Sequence, residues 1–302
     1  GNVDGWSDLL WPHRWALYSF DAYINGARVY DYTFELTESS YFTAGVLCHE
    51  FFHVLGAPDL YHYNNTGAPD AVGGWDIMES TSNPPQYMGA FLKWKYGDWI
   101  PEIPEITSTG TYTLNPLQEP ENSSYKIASP NSDTEYYVLE YRVKEGAYDS
   151  NTPGSRDGLL VYRINTEAGN GNAQGPPDEV YLYRPGGTLT SQGSFVSAPY
   201  NSVWSHTELN DFTNPEPFLY NGGNGGSGGL NLLNVGAGGE TITFTISMGA
   251  PTIELDQSSI LFEMAPNEFQ SKNIALSNGG DIETLLMFDL SSVSIPFSNP
   301  IS

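Results

Sequence analysis

The sequence predicts an α+β amino-terminal unit followed by β-rich units, and three observations carry that expectation. Helix-spaced apolar residues occur early, at 40–55 and 85–96. After Pro104 the texture changes to short alternating runs that no helical pattern interrupts. A fresh alternating segment then opens at Ala250 and runs to Ser302. The expected division is therefore residues 1–106, 107–249 and 250–302.

Taken in order, Arg28 to Leu36 (RVYDYTFEL) is rich in aromatic and β-branched residues and reads as a strand. Ser40 to Leu55 (SYFTAGVLCHEFFHVL) places Phe42, Val46, Leu47, Phe51, Val54 and Leu55 at helical spacing. With Ser39 or Ser40 as N-cap and Gly56 as the stop, it predicts a mostly buried helix of about four turns. A second helix is expected over Pro85 to Tyr96, ended by Gly97 and by Pro101 beyond it. The runs TYTLNPL, EYYVLEYRV, GLLVYRI, EVYLYR and ETITFTISM, separated by turn residues, predict a β-sandwich or related all-β unit. The glycine-rich stretch at 220–231 reads as a flexible loop, because it lacks the lysine of a phosphate loop. Immunoglobulin-like sandwiches need about 100 residues. The carboxy-terminal segment therefore reads as a partial Ig-like β segment.

A chain of 302 residues with 39% hydrophobic and 14% aromatic residues can build more than one core. Its 36 acidic and 11 basic residues give a formal charge of −25, which repels nucleic acid backbones and anionic membranes. Nucleic acid is therefore not expected as a partner. The surplus carboxylates serve solubility in a salty or extracellular medium on one reading and bind calcium on the other. No Asp-rich loop of EF-hand spacing favours the second. Cys48 is the one cysteine, so no intrachain disulfide forms, and its place beside His49 suggests a small buried hydrophobe. No apolar run reaches the roughly 18 residues of a membrane span. Nothing resembling a signal peptide opens the chain, and Gly1 looks like a processed start.

Residues 49 to 59 (HEFFHVLGAPD) hold the densest chemistry. The chain has five histidines, and two of them stand four apart with a glutamate directly after the first. On a helix, positions i and i+4 lie on one face about 5–6 Å apart, so His49 and His53 can each offer a ring nitrogen to one metal ion. Glu50 sits one position round, placed to reach a metal-bound water as general base. A catalytic zinc takes three protein ligands and leaves a position for water, so a third ligand is needed. Gly56 permits a sharp exit from the helix, after which Asp59 can supply a carboxylate oxygen. Glu79, Asp70 and His62 are the alternatives for that place.

The extended run resembles the zincin signature in its metzincin-like form, HExxHxxGxxD. HEFFHVLGAPDLY followed by GGWDIM at 73–78 is similar to the secreted metallopeptidases of the immune inhibitor A type. LLWPHRWAL at 9–17, KWKYGDWIP at 93–101, YYVLEYR at 136–142 and DGLLVYRIN at 157–165 also resemble segments of that family. The resemblance implies a methionine turn at Met78, structural calcium and secretion. It also implies that the catalytic domain is amino-terminally short, since only 48 residues precede His49. No tyrosine follows Met78 at the spacing some metzincins use to stabilise the oxyanion: Ser80 stands there, and Tyr87 is the nearest alternative.

The expected function is that of a secreted zinc-dependent endopeptidase acting on protein or peptide substrates. Zinc held by His49, His53 and Asp59 polarises the scissile carbonyl, while Glu50 takes the proton of water and passes it to the leaving amine. The alternative is an inactive protease-like scaffold in a cell-surface binding or adhesion protein, attached through a region beyond Ser302.

Overall fold

The computed structural model describes residues 11–35, 42–64, 67–248, 253–255, 271, 273 and 275–278. It divides into two compact units, Gly1–Ile246 and Ser247–Ser302.

The first unit opens with four short strands. β1 (His13–Ala16) pairs antiparallel with β4 (Asp31–Phe34), while β2 (Ala22–Ile24) and β3 (Ala27–Val29) form a hairpin. The hairpin turns at Asn25-Gly26, both with positive φ (50° and 81°), the backbone shape that suits the twist of a two-residue loop. The single strand expected over 28–36 is thus two strands in two different sheets, separated at Tyr30; Leu36 lies outside the described residues.

Helix α1 (Ala44–Val54) starts later than its apolar spacing suggests, because the cap is Thr43, whose Oγ1 accepts the Val46 N–H at 3.2 Å. Ser39 and Ser40 lie outside the described residues. The expected buried stripe is also corrected. Phe42, Leu47, Phe51 and Leu55 are exposed, whereas Gly45, His49 and Glu50 are buried. Gly45 lies so close to the Ser82 backbone that a Cβ there would collide with its carbonyl oxygen. Cys48 and Phe52 pack at the margin of the core rather than within it.

Helix α2 (Ala90–Lys95) is half the length expected, and the reason lies at its start. Buried carboxylates of Asp76 and Glu140 accept the Gly89 and Ala90 N–H groups, each at 2.6 Å. They act as the helix's initiating acceptors, so residues 85–89 stay outside the helix. Gly97 closes the other end by donating to Leu92 O at 3.0 Å. Trp94 packs against the core, whereas Trp99 is 50% exposed and meets Phe52 edge to face.

The five runs expected as strands after Pro104 are all strands. β5 (Gly110–Leu114), β6 (Ser124–Ala128), β7 (Glu135–Arg142), β8 (Gly158–Asn165), β9 (Val180–Leu182), β10 (Leu232–Leu233) and β11 (Ile242–Ile246) make two antiparallel sheets. Their orders are β6-β7-β8-β9 and β10-β11-β5. β7 and β8 pair from Glu135↔Asn165 to Arg142↔Gly158, and β8 is buried on both faces. Inside this sheet Arg142 is fully buried, bonding Asp149 at 2.6 and 2.8 Å, Glu140 at 2.9 Å and the Trp75 carbonyl at 3.1 Å. Every charge there has a partner, which is the condition for burying one. One continuous hydrophobic core takes in Ala57, Met78 and Phe91 together with Leu139, Tyr183 and Phe244.

The glycine-rich stretch is a built structure rather than a loose loop. Phe218 bridges Ser227, and Glu135 accepts the Tyr220 and Asn221 N–H groups at 2.8 and 2.9 Å. Gly228 is pressed against the Tyr137 hydroxyl and the Pro217 carbonyl, where no side chain fits. In the second unit, β12 (Ile253–Leu255) pairs antiparallel with β13 (Leu276–Asn278). Among the described residues no helix is long and apolar enough to cross a membrane.

Candidate metal centre

α1 brings His49 and His53 onto one face, their ring centroids 4.8 Å apart and planes near perpendicular. Leu55 caps the helix, and Gly56 at φ +101° sends the chain back along it, with Gly56 N bonded to His53 O at 3.1 Å. Asp59 follows, buried, with Oδ1 3.0 Å from His49 Nε2 and 3.3 Å from His53 Nε2. One ligand atom from each of the three residues lies within 4.8 Å of the others.

The hydrogen bonds behind the rings decide what these atoms are. His49 Nδ1 donates to the Ile77 carbonyl at 2.8 Å, and His53 Nδ1 donates to the Ala57 carbonyl at 2.7 Å. A carbonyl only accepts, so each neutral ring carries its proton on Nδ1 and turns a lone pair outward at Nε2. Asp59 Oδ1, also an acceptor, is buried and receives no hydrogen bond. Three acceptors facing one another require a proton or a metal cation among them, and the set, with its rings fixed from behind, fits a divalent metal. Burial pulls the His49 pKa down, but Asp59 and the Ile77 carbonyl outweigh it and the net shift is upward. Burial pushes Asp59 up, yet His49 and His53 hold it below the usual carboxylate range. Glu50 is 6% exposed beside this group, and burial raises its carboxyl against the pull of His49 and His53.

The segment after α1 is held by residues far along the chain. Asn172 N donates to the Asp59 carbonyl, Tyr63 N to the Ala173 carbonyl and Leu60 N to the Met78 carbonyl, each at 2.9 Å. Gly171, at φ +69°, passes so near that a Cβ would lie 2.5 Å from Asp59 O and 2.6 Å from the Pro58 Cβ. Tyr63 donates its hydroxyl to Asp59 Oδ2, and the Tyr61 ring lies nearly parallel to His49 at 6.4 Å. Sequence reasoning missed both tyrosines, although their i, i+2 spacing in DLYHY was a visible signal; nothing local pointed to Asn172.

Of the alternative third ligands, His62 and Asp70 are engaged elsewhere, and Glu79 is not grouped with the two histidines. His62 Nε2 meets Asp178 Oδ1 at 2.6 Å, and Asp70 accepts from Gln192 at 3.0 Å. The Glu79 carboxyl is pushed well above its ordinary range by burial and by Asp70 and Asp178. Met78 is fully buried in the core, and its turn is fastened by Asp76, whose Oδ1 accepts the Met78 N–H at 2.8 Å. Burial pushes the Asp76 carboxyl up to about 6 despite the two backbone N–H groups it receives. Tyr87 packs against Tyr148 and the Lys93 ammonium. His13 donates to or accepts from nothing near the cluster: its Nδ1 bonds the Trp11 carbonyl and its ring stacks on Phe34. Among the described residues no second group of three such ligands occurs, so calcium has no assigned ligand set.

Comparison with known proteins places this arrangement. The family model for the catalytic domain of immune inhibitor A peptidase M6 matches residues 1–92. That segment is similar to the immune inhibitor A type. Immune inhibitor A of Bacillus thuringiensis subsp. alesti is 29% identical over 115 residues, covering 30% of this chain and 16% of that protein. Pre-pro-metalloprotease PrtV of Vibrio cholerae serotype O1 is 33% identical over 94 residues, covering 27% of this chain and 10% of the relative. The alignments thus span about a sixth or less of these metallopeptidase relatives. No solved structure matches at comparable significance. The matched segment contains α1, the histidine pair, Asp59 and the Met78 turn, and it ends within α2.

Proposed function

We propose that the chain is a zinc-dependent endopeptidase with His49, His53 and Asp59 as metal ligands and Glu50 as general base. The observation that carries this reading is the three facing acceptors, His49 Nε2, His53 Nε2 and Asp59 Oδ1, backed by carbonyls that fix both ring tautomers. Zinc bound there supplies Lewis acidity toward a peptide carbonyl and acidifies water. The chain's own part is to fix the rings through Ile77 and Ala57 and to set Asp59 from the Asn172 side. Glu50, its carboxyl raised by burial, accepts the proton of the attacking water and delivers it to the leaving amine. A complete His49, Glu50, His53 and Asp59 set favours this reading over an inactive adhesion scaffold. The finer architecture belongs to the same proposal: a metzincin-like domain to residue 106, a sandwich-type extension to 249 and an Ig-like segment after it. An extracellular location, a peptide substrate and structural calcium are also part of it, the location and calcium being in keeping with the charge of −25. Metal analysis combined with casein digestion, with and without chelator, tests the core of the proposal. A folded protein that takes up no zinc would end it.

A further inference from the structure

The two oxygens of the Asp59 carboxylate have different surroundings. Oδ1 is buried, receives no hydrogen bond and faces both imidazole Nε2 atoms. Oδ2 accepts the Tyr63 hydroxyl. A carboxylate whose second oxygen accepts an O–H donor has its plane fixed and part of that oxygen's charge already taken up, which favours its first oxygen as the one offered to a cation. We propose that Tyr63 is a positioning residue that holds Asp59 as a one-oxygen metal ligand. This rests on reading the cluster as a metal centre.

Tyr63 is suited to the task by its backbone rather than by packing. Its ring is 58% exposed, so no tight pocket fixes the hydroxyl. Its N–H is bonded to the Ala173 carbonyl at 2.9 Å, and the preceding residue, His62, is pinned to Asp178 at 2.6 Å. The same segment carries Asp59, whose carbonyl receives the Asn172 N–H at 2.9 Å. Carboxylate and hydroxyl are therefore presented to each other by one anchored segment. Without the hydroxyl, the Asp59 carboxylate is free to rotate about its Cβ–Cγ bond, which spreads the ligand over several orientations.

The test uses the full chain and two metals. Tyr63→Phe removes only the hydroxyl; Tyr125→Phe, which removes from β6 a hydroxyl bonded to Asn122, is the control. Zinc affinity measured by competition with a chromophoric chelator is expected to fall about 10- to 100-fold for Tyr63→Phe and to stay unchanged for Tyr125→Phe. The visible absorption of the Co2+-loaded Tyr63→Phe protein is expected to shift, reporting a changed oxygen ligand. In an Asp59→Ala background, Tyr63→Phe is expected to cost no further affinity. An equal drop in both backgrounds would mean that Tyr63 merely supports the fold, and that overturns the proposal. Wild-type affinity and spectrum in Tyr63→Phe overturn it too. A folded wild type that binds neither metal overturns the metal-centre reading itself, and this inference with it.

Discussion

His62 Nε2 and Asp178 Oδ1 lie 2.6 Å apart and tie the segment that follows Asp59 to the segment that leads into β9. Asp178 raises the His62 pKa above its ordinary value, and this outweighs the opposing effect of burial. The pair therefore adds stability in full below the unfolded histidine value of about 6.5, and the gain is lost as pH rises through the higher folded value. The difference in Tm between wild type and Asp178→Asn is expected to be larger at pH 6 than at pH 9, corresponding to on the order of 1 kcal/mol. A pH-independent difference would show that the contact acts as a neutral hydrogen bond.

Zinc content is expected to be about one per chain, since three atoms of metal-binding type lie within 4.8 Å of one another. His53→Ala is expected to lose the metal, as only one imidazole then remains. Elemental analysis after gel filtration reads both, and full zinc retention in His53→Ala would place the metal elsewhere.

Replacing Glu50 by Gln preserves size and removes the base. Peptidase activity is expected to fall about 10²- to 10⁴-fold while zinc stays bound. Activity near wild type, or loss of zinc as in His53→Ala, would contradict the role given to Glu50.

Gly45→Ala sets two effects against each other. Alanine favours a helix interior over glycine by about 1 kcal/mol. The new methyl group, however, collides with the Ser82 carbonyl oxygen, a backbone atom that cannot step aside, and such overpacking costs about 1–3 kcal/mol. Net destabilisation is expected in urea melts, and a stabilised variant would show that α1 can lift away from residue 82.

Calcium at millimolar concentration is expected to raise Tm more than sodium chloride of equal ionic strength, because 36 carboxylates face only 11 basic residues. Identical melting curves would assign the charge to solubility alone.

The ligand helix was legible because i, i+4 histidines with a glutamate between them mean little except on a helix, and Gly56 marks where that helix ends. Its orientation was not. Periodicity reveals an apolar stripe but not which surface it faces, and here Leu47, Phe51 and Leu55 are exposed while His49 and Glu50 are buried. The strands after Pro104 announce themselves by alternation, even though burial on both faces of β8 is a tertiary outcome. The Asn25-Gly26 turn, just before the region read as one strand, carried a usable hairpin signal. The short α2 was hidden because its start is set by Asp76 and Glu140, and Glu140 comes from a distant strand. Glycine composition likewise cannot distinguish a slack tether from a stretch pressed against Tyr137.

The hydrogen bond from Asn172 to Asp59 also sets a timetable. The two histidines belong to a single helix and can meet as soon as that helix forms, but the carbonyl of the third residue waits for a donor made far later in synthesis. At translation rates of about 5–20 residues per second, the nascent chain holds an unfinished cluster for several seconds. Long-range closure of this kind is a slow step in folding, because its entropy cost precedes the gain from the non-local contact. A growing chain that carries α1 without residue 172 would thus lack this anchor for Asp59, and the cluster would be finished by the later part of the chain rather than by the helix.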